Sequence, residues 1–171
     1  MPRLFFALWP DDETRKQLQA VMQSIPPNIG RAVPLENLHI TLAFLGQVNE
    51  EITKGLEAAA NRIRTQKFEL KLDTIGCWRK SGILWLAPAD IPEKLGLLVS
   101  RVNEVSAASG ITLDGRPFKP HIALARKAGM PPERDQIPSV IWQVESFTLV
   151  ESITHHTGAQ YRVLDSWPLL N

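Results

Sequence analysis

The sequence has one cysteine, Cys77, in 171 residues. A lone thiol closes no disulfide within the chain, so packing must hold the core, and a reducing compartment, the cytoplasm, is expected. Long apolar runs are also missing. Nothing approaches the ~20 residues of a membrane span, and no basic start leads into a signal-type apolar segment. Charge of one sign is scarce: 19 Lys and Arg against 18 Asp and Glu leave a net charge of +1. That balance lacks the basic excess needed to neutralise the phosphates of a long duplex. A small substrate, or the end of a nucleic acid, fits it better. What remains is ordinary for a globular chain, 44% hydrophobic and 22% charged. The length suits one proper core and is short for two independent domains.

The chain is organised around Asn37-Leu-His-Ile-Thr-Leu-Ala-Phe-Leu45, an apolar stretch free of Gly and Pro. As a strand its side chains alternate between faces. Ile40, Leu42 and Phe44 then point to a core, while His39, Thr41 and Ala43 share the other face. The pattern returns as Pro120-His-Ile-Ala-Leu-Ala125, with His121 and Ala123 on one face and Ile122 and Leu124 on the other.

The remaining segments fit around these two strands. Arg3 to Leu8 reads as a buried strand, closed by Pro10 and followed by a helix from Glu13 to Ile25, capped by Asp11 or Asp12. A second helix is expected from Asn49 to Arg64 and a third from Ile91 to Ala108, stopped by Gly110. Phe68 to Ile75 alternates like a half-exposed strand, and Ile83 to Ala87 is an apolar one after a turn at Lys80-Ser-Gly82. A polar connection runs from Met130 to Pro138. Val144 to Val150 and Tyr161 to Leu164 read as a closing pair around a polar turn. Both halves of the chain thus run strand, proline, helix, loop, histidine strand. The expectation is an α+β bilobal duplicated fold: two antiparallel-rich sheets around a central cleft, helices outside. Residues 1–171 would form a single domain of two pseudo-symmetric lobes.

Imidazole moves protons near neutral pH, and two facing one centre can act as acid and base. A threonine two residues on can donate to an anionic oxygen. This suits in-line attack on a phosphodiester, with one histidine activating water and the other protonating the departing oxygen. A single His-x-Thr on an apolar strand more often marks a histidine satisfied in a core; two apolar-flanked histidines in matched places on a repeat favour a cleft. His155-His156-Thr157-Gly158 satisfies the same pattern, but its polar surroundings from Ser152 to Gln160 read as a solvated hairpin tip. No Cys, Asp or Glu joins the histidines at a ligand-like spacing, so no metal and no cofactor is expected.

His39-Ile-Thr-Leu-Ala-Phe-Leu-Gly46 and Arg116-Pro-Phe-Lys-Pro-His-Ile-Ala-Leu-Ala-Arg126 closely resemble the two motifs of the two-histidine phosphoesterases. More narrowly they resemble the bacterial RNA 2′,3′-cyclic phosphodiesterases, or LigT-type 2′-5′ RNA ligases, over nearly the whole chain. The resemblance implies a bilobal, metal-free enzyme that opens a 2′,3′-cyclic phosphate at an RNA end, or in a cyclic nucleotide, to a 2′-phosphomonoester. It implies that His39 is the proton donor to the leaving 3′-oxygen and His121 the proton acceptor that activates water. Thr41 would hold a phosphate oxygen, and Arg126 is a candidate phosphate contact. The chain departs from the family pattern at Ala123, where the second motif has threonine; losing such a donor lowers rates by roughly 10²–10³ at comparable sites.

Strict alternation would turn Arg126 away from His121 unless the strand ends or bulges there. Arg116, Lys119, Arg126 and Lys127 cluster near the second motif, as a solvated basic edge or as phosphate contacts. Trp85 and Phe44 have faces that could stack a base, but core packing is the commoner use, and neither is assigned a site role. No obligate protein partner is evident. Two other functions fit the motifs: a phosphodiesterase of small cyclic nucleotides such as ADP-ribose 1″,2″-cyclic phosphate, and a non-catalytic RNA-end binder in which Ala123 marks a decayed site.

Overall fold

The first strand, β1 (Arg3–Leu8), is buried on both faces beyond Arg3, which accounts for its unbroken apolar run. Leu4, Phe6 and Leu8 enter the main core, while Phe5 and Ala7 join Val150 in a smaller cluster on the opposite face. The structure, a computed structural model, describes residues 1–133 and 137–171. Helix α1 (Asp12–Ser24) starts where Asp11 Oδ1 accepts the Thr14 N–H at 2.8 Å. Asn49 caps α2 (Glu50–Ala60) the same way, accepting from Ile52 N–H at 2.8 Å. That helix stops short of Arg64 because the Arg62 and Ile63 N–H groups turn to the carbonyls three residues back, tightening its end. Helix α3 (Glu93–Ala108) ends before Gly110, whose φ of +88° is left-handed and needs a residue without Cβ.

Among the described residues the strands β2 (Arg31–Ala32), β3 (Ile40–Gln47), β5 (Thr74–Trp78), β6 (Ile83–Ala87), β7 (Ile122–Arg126), β9 (Ser146–His155) and β10 (Gly158–Pro168) join β1 in one antiparallel sheet. The order is β10-β9-β1-β3-β7-β6-β5, with β2 on β7. Four hydrogen-bonded strands thus lie on one side of a seam and the rest on the other. Across that seam β3 and β7 pair at Ile40 and Ile122. The expected antiparallel sheets are therefore present as two halves joined edge to edge. Helices α1, α2 and α3 place Leu18, Leu56 and Leu98 in the core with Leu4, Phe6 and Leu8, so they cover one face of the sheet. The opposite face carries Phe5, Ala7, Trp9 and Tyr161. The order β1–α1–β3 recurs as β6–α3–β7.

Two expected strands are drawn differently. Phe68 to Ile75 is broken at Asp73, whose N–H donates to Ala87 O and whose carboxylate accepts from Ala89 N–H. Before the break, β4 (Phe68–Leu72) pairs with β8 (Val140–Val144) in a separate two-stranded sheet. Gln17 of α1 ties this sheet down, its amide bonding both N–H and carbonyl of Ile141 at 2.8 Å. The closing pair is longer than expected, β9 and β10 running to a hairpin end at His155 and Gly158. Residues 134–136 of the connection between Met130 and Pro138 lie outside the described residues. Among the described residues no helix is long and apolar enough to cross a membrane.

Candidate active site

Each histidine stands one residue ahead of its strand. In both, ring Nδ1 meets the carbonyl two residues earlier: Asn37 at 2.7 Å from His39, Lys119 at 2.8 Å from His121. A carbonyl can only accept, so Nδ1 carries the proton and Nε2 is left for other work. His39 Nε2 lies 3.1 Å from Thr41 Oγ1; with the ring neutral, the hydroxyl donates. Ala123, two residues after His121, has no hydroxyl to match it.

The faces do not follow strict alternation, because both motif strands bulge. On β3, Ala7 pairs with Thr41 and Phe6 with Ala43, leaving Leu42 as the extra residue. A bulge shifts the alternation by one. Ala43, expected beside His39 and Thr41, is therefore buried in the core, and Phe44, expected in the core, returns to the face of Thr41 and is 71% exposed. On β7, Trp85 pairs with Ala123 and Leu84 with Ala125, so Leu124 is the extra residue. Leu124 and Ala125 are both buried, and Arg126 comes back to the face of Ala123. The bulge that Arg126 needs to share a face with Ala123 is thus present. Phe44 and Arg126 hold matching positions, five residues after each histidine.

His39 is packed among aromatic rings: Trp9 stacked at 5.5 Å, Phe5 at 4.9 Å, Tyr161 edge-on at 5.1 Å. Burial pushes its pKa down to about 4, with the Asn37 carbonyl opposing and Arg15, His121 and Arg126 adding to the depression. His121, with Trp78 edge-on at 4.6 Å, is also lowered by burial, opposed by the Lys119 carbonyl. Arg126 acts on Tyr161 as well, drawing down a pKa that burial raises. Its charge therefore reaches two residues of the other half. Arg15 lies over Trp9 at 5.2 Å and donates to Leu35 O and Leu38 O, bracing the turn before His39. A cleft of about 780 Å³ opens beside His121 and Thr41, lined also by Phe44, Trp78, Asn103 and Lys119 among others. Two imidazoles anchored through Nδ1, one of them meeting the Thr41 hydroxyl at Nε2, and a guanidinium form a set suited to proton transfer at a bound anion.

A family model described as LigT like Phosphoesterase matches residues 8–85, a segment that holds His39 and stops before His121. The RNA 2′,3′-cyclic phosphodiesterase of Escherichia coli (strain K12) is 38% identical over 174 residues, covering 98% of this chain and 96% of that protein. This chain belongs to the LigT-like phosphoesterases. The RNA 2′,3′-cyclic phosphodiesterase of Thermus thermophilus is 33% identical, over 98% of this chain and 90% of its own. The crystal structure of E. coli LigT complexed with 3′-AMP matches this fold with a TM-score of 0.85 and 38% identity, covering 100% of both chains.

Other residues singled out in this LigT-like sequence fall elsewhere. His155 and His156 are exposed at the hairpin end, as their polar setting implied. Arg116 is engaged by Asp114, Nε to Oδ2 at 2.6 Å, which also holds the Asp114 carboxyl below its usual range. Trp85 lies across Gly76, where an added Cβ would meet the indole at 2.3 Å, so its ring is part of the packing. Among the described residues no three His, Cys, Asp or Glu converge as metal ligands. Sequence reasoning missed the rings around His39, although Phe5, Ala7 and Trp9 alternate along β1. It also missed Arg31, which pairs with Arg126 across β2 and β7 and places two cations side by side.

Proposed function

We propose that this LigT-like chain hydrolyses 2′,3′-cyclic phosphodiesters, at RNA ends or in cyclic nucleotides, to 2′-phosphomonoesters in the cytoplasm. The observation that carries this is the pair of imidazoles, each held through Nδ1 by the carbonyl two residues earlier, which leaves Nε2 of each for proton transfer. His121 Nε2 takes a proton from water as the water oxygen bonds to phosphorus. The P–O3′ bond breaks, and His39 Nε2–H passes its proton to the departing 3′-oxygen. Thr41 and Arg126 hold the non-bridging oxygens, where charge builds in the transition state. An RNA 5′-hydroxyl replacing water in the same step would form a 2′-5′ linkage. The names of the relatives in E. coli and T. thermophilus support this substrate class. We further propose that the chain is one domain of two pseudo-symmetric lobes; the matched bulges, matched histidine anchors and recurring element order support it.

The test is hydrolysis of a 2′,3′-cyclic nucleotide in the presence of EDTA, with identification of the product isomer. Turnover to the 2′-phosphomonoester is expected. Loss of turnover with EDTA, restored by a divalent ion, would refute the two-histidine mechanism. Nucleotide binding without turnover would favour the RNA-end binder that Ala123 suggests.

A further inference from the structure

The stretch from Arg126 to Ala128, where β7 ends, is held between two glycines. A Cβ on Gly30 would meet Arg126 O at 2.6 Å and Ala128 Cα at 3.2 Å. On the other side Ala128 N–H donates to Gly82 O at 2.8 Å, and a Cβ on Gly82 would lie 3.3 Å from Lys127 Cα. Lys127 has a φ of +54°, the only non-glycine in the left-handed region among the described residues, and an uncommon conformation for such a residue. These close approaches gather three basic segments. They are Arg31 beside Gly30, Arg126 with Lys127, and Arg79-Lys80 in the turn that Gly82 N–H closes onto Trp78 O at 2.8 Å. Arg31 stands directly opposite Arg126 across β2 and β7, so both project from the face of Ala123. All five cations are exposed, and among the described residues none pairs with a carboxylate. Like charges set directly opposite are destabilising, and no described carboxylate offsets them here. Three neighbouring segments at ~4.8 Å spacing make a basic rim about 10 Å wide. Arg126 joins this rim to the site, because its charge acts on His39 and Tyr161.

A cyclic mononucleotide brings one phosphate, which Thr41 and Arg126 engage in the reading above. The other four cations then have no anion to hold. An RNA 3′ end supplies more, one phosphate for each nucleotide upstream, and such contacts fix position without reading sequence. We infer that the rim of Arg31, Arg79, Lys80 and Lys127 binds the backbone phosphates of the RNA that precedes the cyclic end, favouring oligonucleotides over mononucleotides. This rests on the hydrolase reading and gives the upstream chain its path. The net charge of +1 confines that grip to a few phosphates near the end.

The experiment compares kcat/KM on 2′,3′-cyclic AMP and on a triadenylate with the same cyclic end, from 50 to 200 mM KCl. Wild type is set against the double variant Arg79→Gln, Lys80→Gln. Both side chains stand on a turn held by backbone bonds, so the exchange should leave the fold and the mononucleotide rate unchanged. Single-strand binding falls with salt at a log–log slope of about 0.7 per phosphate engaged. With both upstream phosphates held, the wild-type preference for the triadenylate should fall roughly sevenfold over this range. The variant should lose most of the preference at 50 mM and show a nearly flat ratio. No preference in wild type, or an unchanged ratio in the variant, overturns the inference. Should wild type turn over neither substrate, the hydrolase reading fails, and calorimetry still decides the rim. Wild type should then bind 3′-phosphorylated triadenylate more tightly than 3′-AMP, and the variant should bind the two alike; equal binding by wild type overturns it. Capture by phosphatidylserine vesicles through the same two residues, without a triadenylate preference, would assign the rim to a membrane and overturn it too.

Discussion

Filling the cleft with substrate should move the pH dependence of the reaction. In the empty cleft His39 has a pKa of about 4, so about one ring in a thousand carries a proton at pH 7. An acid of that kind is poorly charged until something stabilises its imidazolium. A cyclic phosphodiester is an anion, and a unit charge about 4 Å away contributes about 4 kcal/mol at an effective dielectric constant near 20. At 1.36 kcal/mol per pKa unit this is about three units, enough to bring the ring to about 7. Free enzyme works with one proton shared by the pair, and both histidines are lowered. The alkaline limb of kcat/KM, which reports free enzyme, should therefore fall below pH 6.5. The alkaline limb of kcat, which reports the complex, should lie a unit or more higher. These limbs belong to the coupled pair. The assay is initial rate on a 2′,3′-cyclic nucleotide from pH 4 to 9, with kcat and KM resolved at each point. Tyr161→Ala, which opens one wall around His39, should raise the acidic limb of kcat/KM. Coincident alkaline limbs for kcat and kcat/KM, or a kcat/KM still rising past pH 7, would refute the reasoning.

His39→Ala and His121→Ala should each nearly abolish turnover in folded protein, whereas His155→Ala and His156→Ala, at the exposed hairpin end, should stay within about twofold of wild type; steady-state rates with circular dichroism as a fold check decide this. Thr41→Ala should lower kcat by roughly 10²–10³, and Ala123→Thr should raise kcat several-fold with a smaller change in KM. The added threonine lies opposite Trp85 on a strand pair, a β-branched and aromatic neighbourhood that sheets favour. If Ala123→Thr leaves kcat unchanged while Thr41→Ala is harmless, hydroxyl groups do not cradle the phosphate.

The sequence disclosed those features that depend on neighbours along the chain. The cap at Asp11 or Asp12, the stop at Gly110 and the two histidine stretches are local matters, and each was legible. What escaped it were one-residue irregularities in the motif strands. Leu42-Ala43 and Leu124-Ala125 read as alternating residues, but both members of each pair are buried. The tertiary strand partners decide this, and the reversal carries Phe44 out of the core and Arg126 onto the face of Ala123. The ring environment of His39 was hidden for a related reason: Trp9 and Tyr161 come from opposite ends of the chain. The hairpin was underestimated because His155, His156, Gly158, Ala159 and Gln160 are all exposed. A strand with both faces in water shows no alternation to read.

The joint at Ile40 and Ile122 has a mechanical consequence. Each histidine is the residue next to that joint, while Phe44 and Arg126 lie four residues beyond it. If the halves rock by ~10° about the joint, a point one residue away, ~3.3 Å, shifts by ~0.6 Å, and one four residues away, ~13 Å, shifts by ~2 Å. The proton carriers sit near the fulcrum, and the Phe44 ring and the Arg126 guanidinium at the ends of the levers. Admission and release of a nucleotide then cost the acid and base little of their alignment. Structures with and without bound nucleotide would measure it: the Nε2 to Nε2 distance should vary less than the distance from the Phe44 ring to the Arg126 guanidinium.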